Sequence, residues 1–164
     1  PAVEKKLGAI REFLVQSENG DTLIKASSQW ILIDAARRRP IALRENLPMY
    51  QVIGERVIDT DFPKISEPQK IDEAAEFFIR FDDIDLNNHV NNAVYPLWAS
   101  EAVGIDFRAA HTPAEIEIAF KKEGLYGEDI RVETEFDNLT TIHRIKATGD
   151  GRELARVRIC WIGI

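Results

Sequence analysis

The sequence predicts an α+β fold in which an antiparallel sheet wraps a single central helix. Three observations predict it. A strand-like run, EFFIRF at 76–81, is followed by one apolar helical stretch within NAVYPLWASEAVGI. Four strand-like segments come next, at about 114–123, 128–137, 140–149 and 152–162. A further pair of strand-like runs lies upstream with its own turn signal. One strand, one helix and then a run of strands is the pattern of a sheet packed on a helix, not of alternating βα units.

The upstream pair spans 8–34. GAIREFLVQ alternates loosely and is rich in strand formers, and the Asn19-Gly20 dipeptide favours a tight hairpin turn before TLIKASSQWILID. Residues 37–75 change character, with Pro40, Pro48, Pro63 and Pro68, many charges and few strand-like runs. They read as a short helix near 41–53 and then an extended linker.

In the central stretch Val90, Val94, Leu97 and Trp98 fall on one helical face, while Ala93 and Ala102 are small enough for close packing. Asn91 or Asn92 suits the N-cap. Proline is comfortable only in a first turn, so Pro96 implies a helix that starts near Asn92 or is kinked. Gly104 fits the helix C-terminus. Asp106–Thr112 reads as a loop. Asp137-Asn138 and Gly149-Asp150-Gly151 supply turns of the meander.

Composition narrows the function classes. At 164 residues, 45% hydrophobic and 30% charged, the chain can bury a sizeable core. A net charge of −7 argues against nucleic acid as a partner. No apolar run approaches the roughly 20 residues of a membrane span. The segment PAVEKKLGAIREF lacks the apolar core of a signal peptide. The single cysteine, Cys160, excludes an internal disulfide and agrees with a reducing compartment, so the cytoplasm is the expected location. Arg37-Arg38-Arg39 is a short basic cluster, either a solvated loop or a contact for an anionic partner. A Gly-rich phosphate loop is missing, and no cofactor is expected.

Chemistry concentrates in DDIDLNNHVNNAVY, 82–95. Asp83, Asp85 and Asn87 occupy the first, third and fifth places of a calcium loop. The sixth place is Asn88 instead of Gly and the twelfth is Val94 instead of Glu, so calcium is not expected. His89 has no second His or Cys at ligand spacing, which argues against zinc. His111 and His143 read as structural or surface residues, and Cys160 as a core filler. A turn with a helix cap needs only one Asn and one Asp. Asp85, Asn87 and His89 are then left over, at i, i+2, i+4, and in an extended loop they would point the same way. A carboxylate, an amide and an imidazole at a helix N-terminus can orient, hold an oxyanion or water, and move a proton.

At these residues the sequence resembles a known family. FDDIDLNNHVNNAVYPLWASEAV is similar to the signature of the acyl-acyl-carrier-protein thioesterases, approximately D-x-D-x-N-x-H-V-N-N-x-x-Y-x-x-W, with the match running from Asp83 to Glu101. Phe120-Lys121-Lys122-Glu123-Gly124 resembles a second element of that family, a tyrosine, two basic residues, Glu and often Cys. ASSQWILIDAARRRP resembles the strand and Arg-Arg turn that close the family's first domain.

The resemblance implies two hot-dog domains. Residues 1–47 would be the back half of the first, 48–75 a linker and 76–164 the second, complete domain. Family members carry a strand, a helix and another strand ahead of the point where this sequence begins, so a fragment or a truncated protein is expected. The resemblance assigns catalysis to Asp85, Asn87, His89 and Glu123, and implies hydrolysis of a fatty acyl thioester on acyl carrier protein, the phosphopantetheine-linked chain being the substrate. Glu123 and His89 would activate water, Asn87 would hold the water or the thioester oxygen, and Asp85 would fix the loop and the imidazole. Backbone N–H groups near Asn91 and Asn92 would polarise the carbonyl, Trp98 would contact substrate, and the acyl chain would lie in a tunnel between sheet and helix. The family's cysteine position is Gly124 here, which removes an acyl-cysteine route and favours direct attack by water. Pro96 and Leu97 also depart from the family pattern. Two alternatives stay open: an acyl-coenzyme A thioesterase and a non-catalytic acyl-binding hot-dog module. A homodimer is compatible with the fold.

Overall fold

The structure, a computed structural model, describes residues 3–5, 7–34, 36–37, 39–47, 49 and 51–164. Its elements in chain order are β1 (Val3–Lys5), β2 (Gly8–Gln16), β3 (Thr22–Ile31), β4 (Ile33–Asp34), β5 (Arg39–Pro40), α1 (Leu43–Asn46) and β6 (Glu73–Phe78). A turn of 3₁₀ helix (Phe81–Asp83) follows, then α2 (Val94–Glu101), α3 (Ile105–Ala110), β7 (His111–Phe120), β8 (Asp129–Asp137), β9 (Thr140–Ala147) and β10 (Glu153–Gly163). Contacts divide the chain into two units, Pro1–Pro63 and Lys64–Ile164.

In the first unit β1, β2 and β3 form a three-stranded antiparallel sheet. The β2–β3 hairpin turns where Asn19-Gly20 predicts it. Ser17 N–H donates to Asp21 O at 2.9 Å, and Gly20 adopts φ +89°, which a side chain would resist. The helix expected near 41–53 is a single turn, α1; Pro48 and Tyr50 of that span lie outside the described residues. Part of the expected linker is tied down. Arg56 donates to Glu12 of β2 at 2.6 Å and to the carbonyls of Ile58 and Thr60. In the basic cluster the exposed Arg37 lies 3.8 Å from Asp34; Arg38 lies outside the described residues.

The second unit is a five-stranded antiparallel sheet in the order β6-β8-β9-β10-β7, with α2 against β8, β9 and β10. Alternation is clearest in β9, where Thr141, His143, Ile145 and Ala147 are buried and their neighbours are not. Ile79, Tyr95, Trp98, Ala99, Val103, Ile130, Val132, Leu154 and Val157 belong to one core cluster. Pro113 sits in β7 without cost because β7 is an edge strand.

The sheet accounts for several differences from the sequence reading. α2 starts at Val94, so Pro96 falls in its first turn and no kink is needed. Val90 is therefore buried ahead of the helix. The buried positions of α2 are 95, 98, 99 and 100, with Ala102 buried just past its end, and Leu97 turns outward, 62% exposed. The expected loop 106–112 contains α3 and the start of β7. Residues 65–72 are not a free linker either. Ile65 is buried, and Arg156, 1% exposed, donates to Ile65 O at 2.9 Å and pairs with Glu67 and Glu153. A buried guanidinium requires that pairing. Asp72 closes the strap, its N–H donating to Thr134 O and its carboxylate accepting from Phe136 N–H.

His143 is fully buried, with its ring nitrogens 2.9 Å from Thr134 Oγ1 and 2.7 Å from Thr141 Oγ1. Trp161 Nε1–H donates to the same Thr141 oxygen at 2.9 Å. Burial pushes the imidazole down to about 3, so it stays neutral and structural.

Candidate active site

The polar cluster folds as a small turn between Ile84 and Val90, which pair as an antiparallel bridge. Asp85 N–H donates to His89 O at 2.8 Å, and Asn88 N–H to Asp85 O at 3.0 Å. Asn88 takes φ +61°, a conformation that Asn tolerates because its short side chain can bond locally. Asp85 Oδ1 accepts Asn87 N–H at 2.8 Å, and Oδ2 accepts Asn87 Nδ2 at 3.3 Å. Asp85, Asn87 and the His89 main chain are thus joined by a tight turn and not by the two-residue period of an extended loop. The Asn87 and His89 backbone N–H groups and the Asn87 amide hold the Asp85 carboxyl below the usual carboxylate range, with the Asn87 N–H contributing most. Asp85 therefore fixes the backbone of the turn and the Asn87 amide. Of the loop and the imidazole that the sequence reading assigns to Asp85, these bonds hold the loop.

Glu123 reaches the turn from the other side. His89 Nε2 lies 3.3 Å from Glu123 Oε2, with the imidazole 35% and the carboxylate 59% exposed, so water reaches both. Glu123 does not come from the first strand of the meander, because β7 ends at Phe120. The N–H groups of Lys121 and Lys122 both donate to Leu154 O, which bends the chain out of the sheet. Val90 N–H donates to Gly124 O at 3.0 Å and joins the two segments side by side. Gly124 is buried, and a Cβ there would stand 3.0 Å from Val90 Cγ2 and 3.1 Å from Ile79 Cδ1. Residue 123 thus faces the imidazole while residue 124 faces the core.

The residues expected to bind substrate divide. Asn91 is bound up in the entry to α2: its N–H donates to Asp83 O at 2.8 Å, its Oδ1 accepts Ala93 N–H and its carbonyl accepts Val94 N–H. Its N–H is therefore not free to polarise a carbonyl. Asn92 is exposed beside it. Trp98 is 6% exposed, stacked on Phe77 with centroids 6.4 Å apart and edge-on to Tyr95, a core position. Side chains of the core cluster fill the space between α2 and the sheet, where the sequence reading expects an acyl tunnel. An open cavity of about 600 Å³ lies outside it, lined by Phe81, Ile84, Asp85, Leu86, Asn87, Asn88 and Asn91. Among the described residues, no group of three or more His, Cys, Asp and Glu is placed to hold a metal. No helix among the described residues is long and apolar enough to cross a membrane.

Sequence reasoning passes over Arg152, in the β9–β10 turn, whose guanidinium donates to Glu123 O at 3.3 Å and to both oxygens of Glu128 at 2.6 Å. A lone arginine in a Gly-Asp-Gly-Arg turn carries no motif signal.

Comparison with known proteins adds to this geometry. The family model for the acyl-ACP thioesterase C-terminal domain matches residues 66–163, and that for the N-terminal domain matches residues 1–49. A chloroplastic palmitoyl-acyl carrier protein thioesterase of Arabidopsis thaliana is 27% identical over 179 residues, covering 95% of this chain and 42% of that protein. A chloroplastic oleoyl-acyl carrier protein thioesterase of the same plant is 21% identical over 194 residues, covering 96% of this chain and 52% of that protein. An acyl-ACP thioesterase structure from Bacteroides thetaiotaomicron superposes with a TM-score of 0.83 at 20% identity, covering 98% of this chain and 65% of that one. A 12:0-ACP thioesterase from Umbellularia californica gives a TM-score of 0.80 at 23% identity, covering 99% and 64%. The chain spans about half the length, or less, of the curated relatives it matches.

Proposed function

The chain belongs to the acyl-ACP thioesterase family, and on that premise we propose that it hydrolyses fatty acyl thioesters on acyl carrier protein by direct attack of water. The observation that carries the reading is the 3.3 Å approach of the Glu123 carboxylate to the His89 ring at a site open to water. The pair takes a proton from water as its oxygen attacks the thioester carbon. Asn87, whose amide is oriented by Asp85, holds the water or the developing oxyanion. Collapse of the tetrahedral intermediate breaks the carbon–sulfur bond. The proton returns to the departing phosphopantetheine thiolate, leaving free fatty acid and the carrier thiol. Gly124 offers no thiol, so no acyl-enzyme intermediate forms there.

The test is turnover of Glu123→Ala in the intact protein on acyl carrier protein loaded with chains of graded length. Loss of a general base lowers kcat by about 10²–10⁴-fold. Near-normal hydrolysis would remove Glu123 from the mechanism. Parallel kinetics on acyl-coenzyme A identify the carrier, with the carrier-protein substrate expected to have the higher kcat/KM. For location the reading is the cytoplasm, supported by the lone thiol of Cys160; the plant relatives are chloroplastic, and imaging of a tagged copy decides.

A further inference from the structure

The Glu123 carboxylate is more than half exposed, and its contact with His89 is a carboxylate–imidazole approach at the surface. Such pairs hold little geometry by themselves, because two mobile side chains lose entropy to meet and water screens their attraction. General-base catalysis nevertheless depends on where that carboxylate stands. The position must come from the backbone of residues 121–128, the connection between β7 and β8.

Backbone bonds hold that connection at both ends. Lys121 and Lys122 are anchored on Leu154 O, and Gly127 N–H and Ile79 N–H bond across to Ile79 O and Glu128 O. In the middle, one side chain reaches the main chain of Glu123 itself. Arg152 Nη2 donates to Glu123 O at 3.3 Å and to Glu128 Oε1 and Oε2, each at 2.6 Å. Glu128 Oε2 in turn accepts Leu125 N–H at 2.9 Å. Arg152 is steadied from behind, since Asp150 Oδ1 accepts its N–H at 3.1 Å and Asp150 Oδ2 its Nη1 at 3.0 Å. A fixed guanidinium therefore clamps residues 123, 125 and 128 together. The Arg152 and Glu128 side chains are both 25% exposed, far more sheltered than the Glu123 carboxylate they serve. Charge-assisted bonds of this length in a partly buried setting are the stronger class.

We propose that Arg152, acting with Glu128, is a positioning residue for the base: it sets the Glu123 main chain so that the carboxylate stands against His89. It touches neither the ring nor the reacting atoms, and the inference rests on the reading of Glu123 as part of the base. A planar fork is required, because one side chain must reach a carbonyl, a carboxylate and its own turn at once. Lysine, a single point donor, cannot do all three.

The experiment is a kinetic double-mutant cycle on the intact protein with acyl carrier protein substrate, using Arg152→Gln, Glu123→Ala and the pair. A displacement near 1 Å at a reacting group costs up to about 10²-fold in rate, so Arg152→Gln should lower kcat by about 10- to 100-fold with KM within about twofold. Arg152→Lys should recover only part of the loss, and Glu128→Gln should reproduce most of it. In the Glu123→Ala background Arg152→Gln should change kcat by less than about twofold, because its target is gone. Full multiplication of the two losses, or an Arg152→Gln variant with normal kcat, would overturn the positioning role. Glu123→Ala with normal turnover would instead overturn the assignment of the base, so the two failures are separable. Thermal melts show whether each variant is folded. If Arg152→Gln does not fold, Glu128→Gln carries the same cycle.

Discussion

Gly124→Cys restores the residue that the resemblance leads one to expect at that position, and the structure predicts that it damages the protein without supplying a nucleophile. The added Cβ would lie 3.0 Å from Val90 Cγ2, 3.1 Å from Ile79 Cδ1 and 3.3 Å from Leu154 Cδ1. Carbon atoms prefer separations of about 3.5–4.0 Å. None of the three neighbours can swing into solvent, with Val90 at 4% and Ile79 and Leu154 at 0% exposure. The sulfur would have to fit beyond that Cβ, in the same packed space. Overpacking of this kind costs about 1–3 kcal/mol. At 2–4 °C per kcal/mol for a chain of this size, the melting temperature should fall by about 2–12 °C. Val90 N–H bonds Gly124 O, so the strain is transmitted to the Glu123–His89 approach and turnover should fall as well. The assay compares melts, kcat and iodoacetamide inactivation of Gly124→Ala, Gly124→Cys and the parent, whose Cys160 sets the background. A Gly124→Cys protein with unchanged melting temperature and turnover that alkylation newly abolishes would refute this packing argument.

Two further outcomes follow from the same coordinates. His143 is neutral in the folded protein down to about pH 3, whereas an unfolded histidine gains a proton below about 6.5; the unfolded state alone binds protons in that window, so stability falls as pH drops from about 6.5, by roughly 2 kcal/mol between pH 7 and 5, and urea midpoints of the parent should show a slope that His143→Gln lacks. Trp98 is core, so Trp98→Phe should keep KM within about twofold and Trp98→Ala should lose about 3–5 kcal/mol in denaturant melts; a large KM change in a fully stable Trp98→Phe protein would return it to the substrate site.

What the sequence made legible is what local physics determines. The β2–β3 hairpin was readable because Asn19-Gly20 demands a tight turn, and β8–β10 were readable because one face of each strand is dry. α3 was missed because six residues between Gly104 and His111 are too few to display a helical period. The helix near 41–53 shrank to one turn because a proline at position 48 disfavours helical angles in the residue before it, and Leu47 stands at φ −133°, ψ 72°. Residues 65–72 look like linker because their anchors, Thr134, Phe136 and Arg156, lie about 60 to 90 residues away, and no local pattern announces a partner at that distance.

The candidate site divides along the same line. Asp85, Asn87 and His89 stand close in sequence, and their convergence depends on a turn that Asp and Asn build for themselves. Glu123 is another matter. Spacing alone reads it as an exposed residue beside a glycine, and long-range bonds, among them Val90 N–H to Gly124 O and Arg152 to Glu123 O, bring it to the imidazole. Gly124 looked like a lost nucleophile. In the fold its missing side chain is what lets Val90, Ile79 and Leu154 close together and seat the neighbouring carboxylate. Trp98 lies in the core where the sequence reading expects substrate contact, because aromatic character is common to binding sites and cores, and the stagger that buries it with Tyr95 and Ala99 is fixed by where α2 begins. The arrangement proposed here fails in two distinguishable ways. Substitutions in the 85–89 turn should act on chemistry locally, whereas substitutions in the β9–β10 turn should act only through the position of residue 123.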